Sequence, residues 1–87
     1  MEVAFFPKAE EDLIFWKNSG NKQIQKKISE LIADTRQNPF AGLGQPEPLK
    51  HRLSGMWSRR INSEHRMVYD VSEDKLNIYS LRGHYHL

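Results

Sequence analysis

The sequence predicts an α+β fold of two layers, in which an N-terminal strand and two helices pack on one face of a mostly antiparallel sheet. Apolar residues recur at helical spacing across residues 22–36, the signature of an amphipathic helix. Runs rich in aromatic and β-branched residues at 56–61, 65–71 and 75–81 follow one another across short polar turns, the signature of consecutive hairpins. Helices followed by hairpins form two layers because each buries its apolar side against the other.

Residues 3–6 are a short apolar run that reads as a first strand, ended by Pro7. Proline suits the start of a helix, where its missing amide hydrogen costs nothing. From Lys8 onward, Ala9, Leu13 and Trp16 recur at helical spacing with Ile14 alongside, and Glu10, Glu11 and Asp12 suit the positive end of the helix dipole. Trp16 is expected in the core rather than stacked on a base, the usual fate of an aromatic on an amphipathic helix. Ser19, Gly20 and Asn21 break the helix. The second helix carries Ile24, Ile28, Leu31, Ile32 and Thr35 on one face and Lys22, Lys26, Glu30 and Asp34 on the others, until Asn38 and Pro39 stop it.

Residues 39–48, PFAGLGQPEP, are punctuated by glycine and proline and predict a shaped loop. After 49–53, Ser54 and Gly55 turn the chain into the hairpin. If Asn62, Ser63 and Glu64 form its loop, Ile61 faces His65, Arg60 faces Arg66 and Arg59 faces Met67. Trp57, Ile61, Met67, Tyr69 and Val71 then share the core side. A two-residue turn at Glu73 and Asp74 sets Val71 opposite Leu76, Tyr69 opposite Ile78 and Met67 opposite Ser80. Arg60 beside Arg66 is unfavourable by roughly 0.2 to 1 kcal/mol, and a phosphate between them relieves it. Two arginines solvated on an open sheet face are the plainer reading.

At 87 residues, a single domain spanning 1–87 is expected, stable by only a few kcal/mol and open to stabilisation by a partner. Hydrophobic content of 38% and charged content of 28% are globular rather than disordered values. The absence of cysteine excludes a disulfide framework and a cysteine-based zinc site, and suits a reducing compartment. The opening MEVAFFPKAEED turns acidic after a very short apolar run, unlike a signal peptide. No apolar run approaches a membrane span, so a cytoplasmic protein is expected. Net charge is only +2, but its distribution is uneven. Lys50, His51, Arg52, Arg59, Arg60, His65 and Arg66 cluster in the middle of the chain and predict a positive face.

Candidate chemistry sits at two places. Glu47 lies between Pro46 and Pro48, which stiffen its backbone and supply no competing amide donors; Lys50 and His51 follow close behind. A strand is followed directly by Arg82, Gly83, His84, Tyr85, His86 and Leu87. His84 and His86 lack a defined third ligand for a metal, no cofactor is implied, and neither a G-x-S-x-G elbow nor a glycine-rich nucleotide loop is present. A carboxylate, a histidine, an arginine pair and an aromatic suffice to cut RNA without a metal. A base removes the proton of the ribose 2′-OH, an acid protonates the leaving 5′-oxygen, and cations hold the crowded phosphate.

PEPLKHxLSGxWSRRI followed by EHRxVY, a C-terminal HY, and the segment ELIxDTRxxPFxGxGxPEPLKH resemble the YoeB/Txe branch of the RelE superfamily of bacterial toxin–antitoxin toxins. The likeness covers essentially the whole chain. It implies an mRNA interferase that enters the ribosomal A site and cleaves the codon there, held inactive by a YefM-like antitoxin, and it leads one to expect a homodimer. Position by position, it makes Glu47 the general base, His84 the general acid and Arg66 the residue that stabilises the pentavalent phosphate. Lys50 and Arg60 match phosphate contacts, and Tyr85 matches a tyrosine of the catalytic surface. Gly83 stands where an aromatic is expected, and His86 and Leu87 extend past the usual tyrosine end. Two alternatives stay open: a ParE-like toxin of the same fold that acts on DNA gyrase, and a non-catalytic ribosome- or RNA-binding module.

Overall fold

In a computed structural model, residues 1–84 are described. Strand β1 (Glu2–Phe5) leads through helices α1 (Pro7–Ser19) and α2 (Lys22–Gln37) to β2 (Glu47–Pro48), a single 3₁₀ turn at His51–Leu53, and strands β3 (Trp57–Arg60), β4 (Arg66–Ser72) and β5 (Lys75–Ser80). The sheet order is β1-β5-β4-β3-β2. Only β1 and β5 run parallel; the other neighbours are antiparallel. A parallel pair needs a crossover, and the two helices supply it. They cover one face of the sheet, the two-layer α+β arrangement. Among the described residues, no helix is long and apolar enough to cross a membrane.

Helix ends follow local chemistry. Gly20 takes φ +73° and closes α1, a conformation that costs glycine little. Asn21 at once caps α2, its Oδ1 accepting from Ile24 N–H at 3.1 Å. Ala9, Trp16, Ile28 and Leu31 pack from the helices onto Met67, Tyr69, Leu76 and Ile78 of the sheet. Trp16 is in this core, and its indole N–H donates to Leu81 C=O at 2.9 Å.

The hairpin has the expected register: Arg60 opposes Arg66, and Arg59 opposes Met67. Between β4 and β5, Val71 opposes Leu76 and Tyr69 opposes Ile78, but Ser80 lies opposite Val68 rather than Met67. Tyr79 is the extra residue of a β-bulge. A bulge shifts the inside–outside alternation by one, and Leu81 enters the core fully buried.

Two members of the expected positive face lie elsewhere. Register puts Arg59 on the core side with Met67, where it is 0% exposed. Its guanidinium donates to Asp34 Oδ2 at 2.6 Å, to Leu43 C=O at 3.0 Å, to Ala41 C=O at 2.9 Å and to Asn38 C=O. Its Nε donates to Tyr69 Oη at 3.2 Å, and that hydroxyl donates to Pro39 C=O at 2.7 Å. A buried charge is tolerable only when so fully hydrogen-bonded. The glycine- and proline-rich loop is therefore wrapped around Arg59, and its shape is set by that cation. Gly42 and Gly44, at φ +115° and +78°, allow the close wrap: a Cβ would come within 2.2 Å of Asp34 Oδ2 at the first and 2.9 Å of Arg60 C=O at the second. His65, the other displaced residue, is half-buried with its ring edge-on to Trp16.

Candidate active site

The wrapped loop delivers Glu47 to the sheet edge. Gly44 C=O accepts from Arg60 N–H at 2.6 Å, and β2 then pairs with β3 so that Glu47 lies opposite Ser58. Prolines on either side of Glu47 are compatible with an edge strand, where missing donors matter least. Leu49, buried outside the helix-side core, anchors the far end through its N–H to Met56 C=O at 2.8 Å.

Ser58 and Arg60 of β3 share the open face with Arg66 of β4, because side chains alternate along a strand. Arg66 reaches diagonally across β3. Its Nε donates to Ser58 Oγ at 3.0 Å, and its Nη2 lies 3.1 Å from Glu47 Oε1. The arginine side chain is 11% exposed and the carboxylate 50%, so a fixed cation holds a carboxylate that solvent and ligands still reach. The juxtaposition of Arg60 and Arg66 is relieved from within the chain by Glu47. A guanidinium has five N–H donors, more than these two contacts use, and the geometry leaves it capacity for phosphate oxygens.

Other expected site residues are placed as follows. Arg60 and Lys50 are exposed, Arg60 on the strand beside Arg66 and Lys50 just before the 3₁₀ turn. His84 is exposed and one residue beyond Gly83, whose C=O accepts from Arg66 N–H at 3.0 Å. The backbone thus brings His84 to the start of β4, beside the residue whose side chain holds Glu47. Tyr85 lies outside the described residues, as do His86 and Leu87.

Sequence reasoning passed over Ser58, Asp34 and Asp12. Ser58 is fully buried and gives Arg66 its acceptor; strand alternation alone put it on the face of Arg60. Asp12, read as a charge at the helix start, is 4% exposed and accepts from Leu81 N–H at 2.9 Å and from Lys8 Nζ at 2.8 Å. Its position three after Ala9 and four before Trp16 was the available signal, since that spacing lies on the core face. Asp34, read as solvated, is the partner of Arg59. The Leu43 N–H bond first, and then Arg59, hold its carboxyl below the usual range. On the open face, burial, with the hydrogen bond and charge of Asp70 added, pushes the Tyr79 phenol up to about 12. Among the described residues, no buried side-chain polar atom lacks a hydrogen-bond partner.

Residues 5–85 match the family described as YoeB-like toxin of bacterial type II toxin-antitoxin system. Toxin YoeB of Escherichia coli K12 is 52% identical over 85 residues, covering 98% of this chain and 100% of that protein. A YoeB-YefM complex from Staphylococcus aureus contains a chain that superposes with a TM-score of 0.88 at 42% identity, covering 98% of both chains. A YoeB dimer from the same organism superposes with a TM-score of 0.88 at 41% identity over the same shares.

Proposed function

The chain belongs to the YoeB-like toxin family of bacterial type II toxin–antitoxin systems, and we propose that it is a ribosome-dependent endoribonuclease that cuts mRNA in the A site and so stops translation. The observation that carries this reading is the 3.1 Å pair between Glu47 and Arg66 on the open face. A carboxylate paired with an arginine, a cation suited to phosphate, supports the reading.

In the proposed reaction, the RNA phosphate competes for the Arg66 guanidinium and draws it from Glu47. Glu47 then takes the 2′-OH proton, and the 2′-oxygen attacks phosphorus. The bond to the 5′-oxygen breaks as His84 donates its proton, leaving a 2′,3′-cyclic phosphate and a 5′-hydroxyl. Arg66 meets the charge that grows on the pentavalent phosphate, where preorganised donors act most strongly. Lys50 and Arg60 hold phosphate present before reaction, Tyr85 joins the substrate surface, and no metal takes part. The chain works in the cytoplasm as a homodimer and is restrained by a YefM-like antitoxin, a reading supported by the dimer and complex formed by its relatives.

The test is to add purified protein to translating ribosomes and map mRNA 5′ ends. Cuts confined to A-site codons, and lost with Glu47→Gln, are expected. Ribosome binding with intact mRNA, or inhibition of DNA gyrase alone, would overturn the nuclease reading.

A further inference from the structure

Beyond β5, two residues are held through both their backbone groups, and the carbonyl of Arg82 between them accepts from Lys8 Nζ at 3.2 Å and from Ser80 Oγ at 3.3 Å. Leu81 N–H donates to Asp12 Oδ2 at 2.9 Å while Leu81 C=O accepts from Trp16 Nε1 at 2.9 Å. Gly83 C=O accepts from Arg66 N–H at 3.0 Å while Gly83 N–H donates to His65 Nδ1 at 2.8 Å. The first pair of bonds ties the segment to α1, and the second ties it to Arg66 at the start of β4 and to His65 just before it. His84 is the next residue.

His65 is itself immobilised. Its N–H donates to Asn62 Oδ1 at 2.8 Å, and its C=O accepts from Ile61 N–H at 2.9 Å and Asn62 N–H at 3.2 Å. Its ring meets Trp16 edge-on, with centroids 4.8 Å apart. Trp16, Leu81, Gly83 and His65 therefore close a circuit in which each member fixes the next. The Gly83 bond requires a bare lone pair at Nδ1, so the ring proton belongs on Nε2. Gly83 takes φ +82° with no atom within 4 Å of a would-be Cβ, so its conformation, rather than space, is what this position asks of glycine.

The residue before His84 is thus held by the Arg66 backbone at its carbonyl and by the His65 side chain at its N–H. We propose that His65 is a positioning residue for RNA cleavage: its Nδ1 holds the Gly83 N–H and thereby fixes the point from which His84 reaches the Glu47–Arg66 pair. This inference rests on the reading of His84 as the general acid. Because Arg66 binds Gly83 through its backbone and Glu47 through its side chain, a shift at Gly83 alters the spacing of acid and base directly. Misplacement of about 1 Å costs on the order of 10²-fold in rate.

His65→Phe keeps a ring against Trp16 and removes the acceptor, whereas His65→Asn restores an acceptor close to the Nδ1 position. Hydrogen exchange at the Gly83 amide reads the anchor without reference to activity. Exchange about 10-fold faster in His65→Phe, near wild type in His65→Asn and unchanged at Ile78 is expected, since loss of one local bond opens one segment. Single-turnover cleavage at saturating ribosomes should fall roughly 10- to 100-fold in His65→Phe with ribosome affinity unchanged, and should recover most of that loss in His65→Asn. Should the phenyl ring not fit, His65→Leu removes the same acceptor. A wild-type rate in the acceptor-less variant, equal losses in Phe and Asn, or unaltered Gly83 exchange would overturn the proposal. A wild-type chain that cleaves nothing would overturn the nuclease reading and the catalytic half of this one, with Gly83 exchange still deciding whether His65 holds the segment.

Discussion

Asp34 Oδ2 and Arg59 Nη1 stand 2.6 Å apart, an ion pair that joins the last turn of α2 to the central hairpin. The arginine is fully buried and the carboxylate 24% exposed. The same guanidinium binds the carbonyls of the loop that leads to Glu47, so the pair supports both the fold and the site.

Asp34→Ala leaves the Arg59 charge without its counter-ion and is expected to cost about 3 to 5 kcal/mol, the usual consequence of breaking a buried pair from one side. Urea unfolding measures it. A loss below about 1 kcal/mol would mean that the loop carbonyls alone satisfy Arg59.

Acid should act through the same carboxylate. Asp34 is held below its ordinary value of 3.8 in the folded chain, so it binds protons less readily folded than unfolded. Its stabilisation is present above that ordinary value and is lost as pH falls below it, through the lower folded value. Comparing wild type with Asp34→Asn by thermal melts across this range should show a stability gap that narrows only in the acid limb; a constant gap would contradict the assignment.

Two glycines, both at positive φ, should respond differently to alanine. Gly20→Ala meets nothing within 4 Å and carries only the penalty of φ +73°, about 1 kcal/mol. Gly42→Ala places a Cβ 2.2 Å from Asp34 Oδ2, displaces the carboxylate from Arg59, and is expected to cost at least about twice as much. Chemical denaturation of the two variants side by side decides.

At the site, Glu47→Gln and His84→Ala should each slow single-turnover cleavage by about 10² to 10⁴-fold with little change in ribosome affinity. Arg66→Ala should act mainly on the same step. Lys50→Ala and Arg60→Ala should weaken ribosome binding and each reduce its log–log salt dependence by about one unit, since in the proposed role each side chain holds one phosphate. Near-wild-type cleavage by Glu47→Gln would remove Glu47 from the role of base.

A YefM-like partner should raise the melting temperature of this small domain, because a ligand that binds only the folded chain stabilises it by about 2.7 kcal/mol at 100 times its Kd. Thermal melts of the toxin alone and copurified with the product of its companion gene test this. An unchanged midpoint would count against an antitoxin that binds the folded toxin.

Much of this was legible from local patterns. Helical spacing from Ile24 to Thr35 determined α2, because a 3.6-residue period admits one buried face. The turn at 62–64 determined that Arg60 opposes Arg66, because a hairpin of known loop length has only one register. The PEP segment marked Glu47, and the shared motifs marked the family.

What the tertiary structure decided was which polar residues are buried and what satisfies them. Arg59 and Arg60 are adjacent and chemically identical, yet one is the core of a loop and the other lies on the open face. The partners that separate them, Asp34 and the carbonyls of 38–43, come from another element. Asp12 meets an amide 69 positions away and His65 one 18 positions away. The extra residue at Tyr79, which turns Leu81 inward, likewise answers to packing rather than to turn length. Periodicity assigns a side chain to a face, but a buried charge or lone pair is stable only with a partner, and that partner is supplied by the folding of distant segments onto one another.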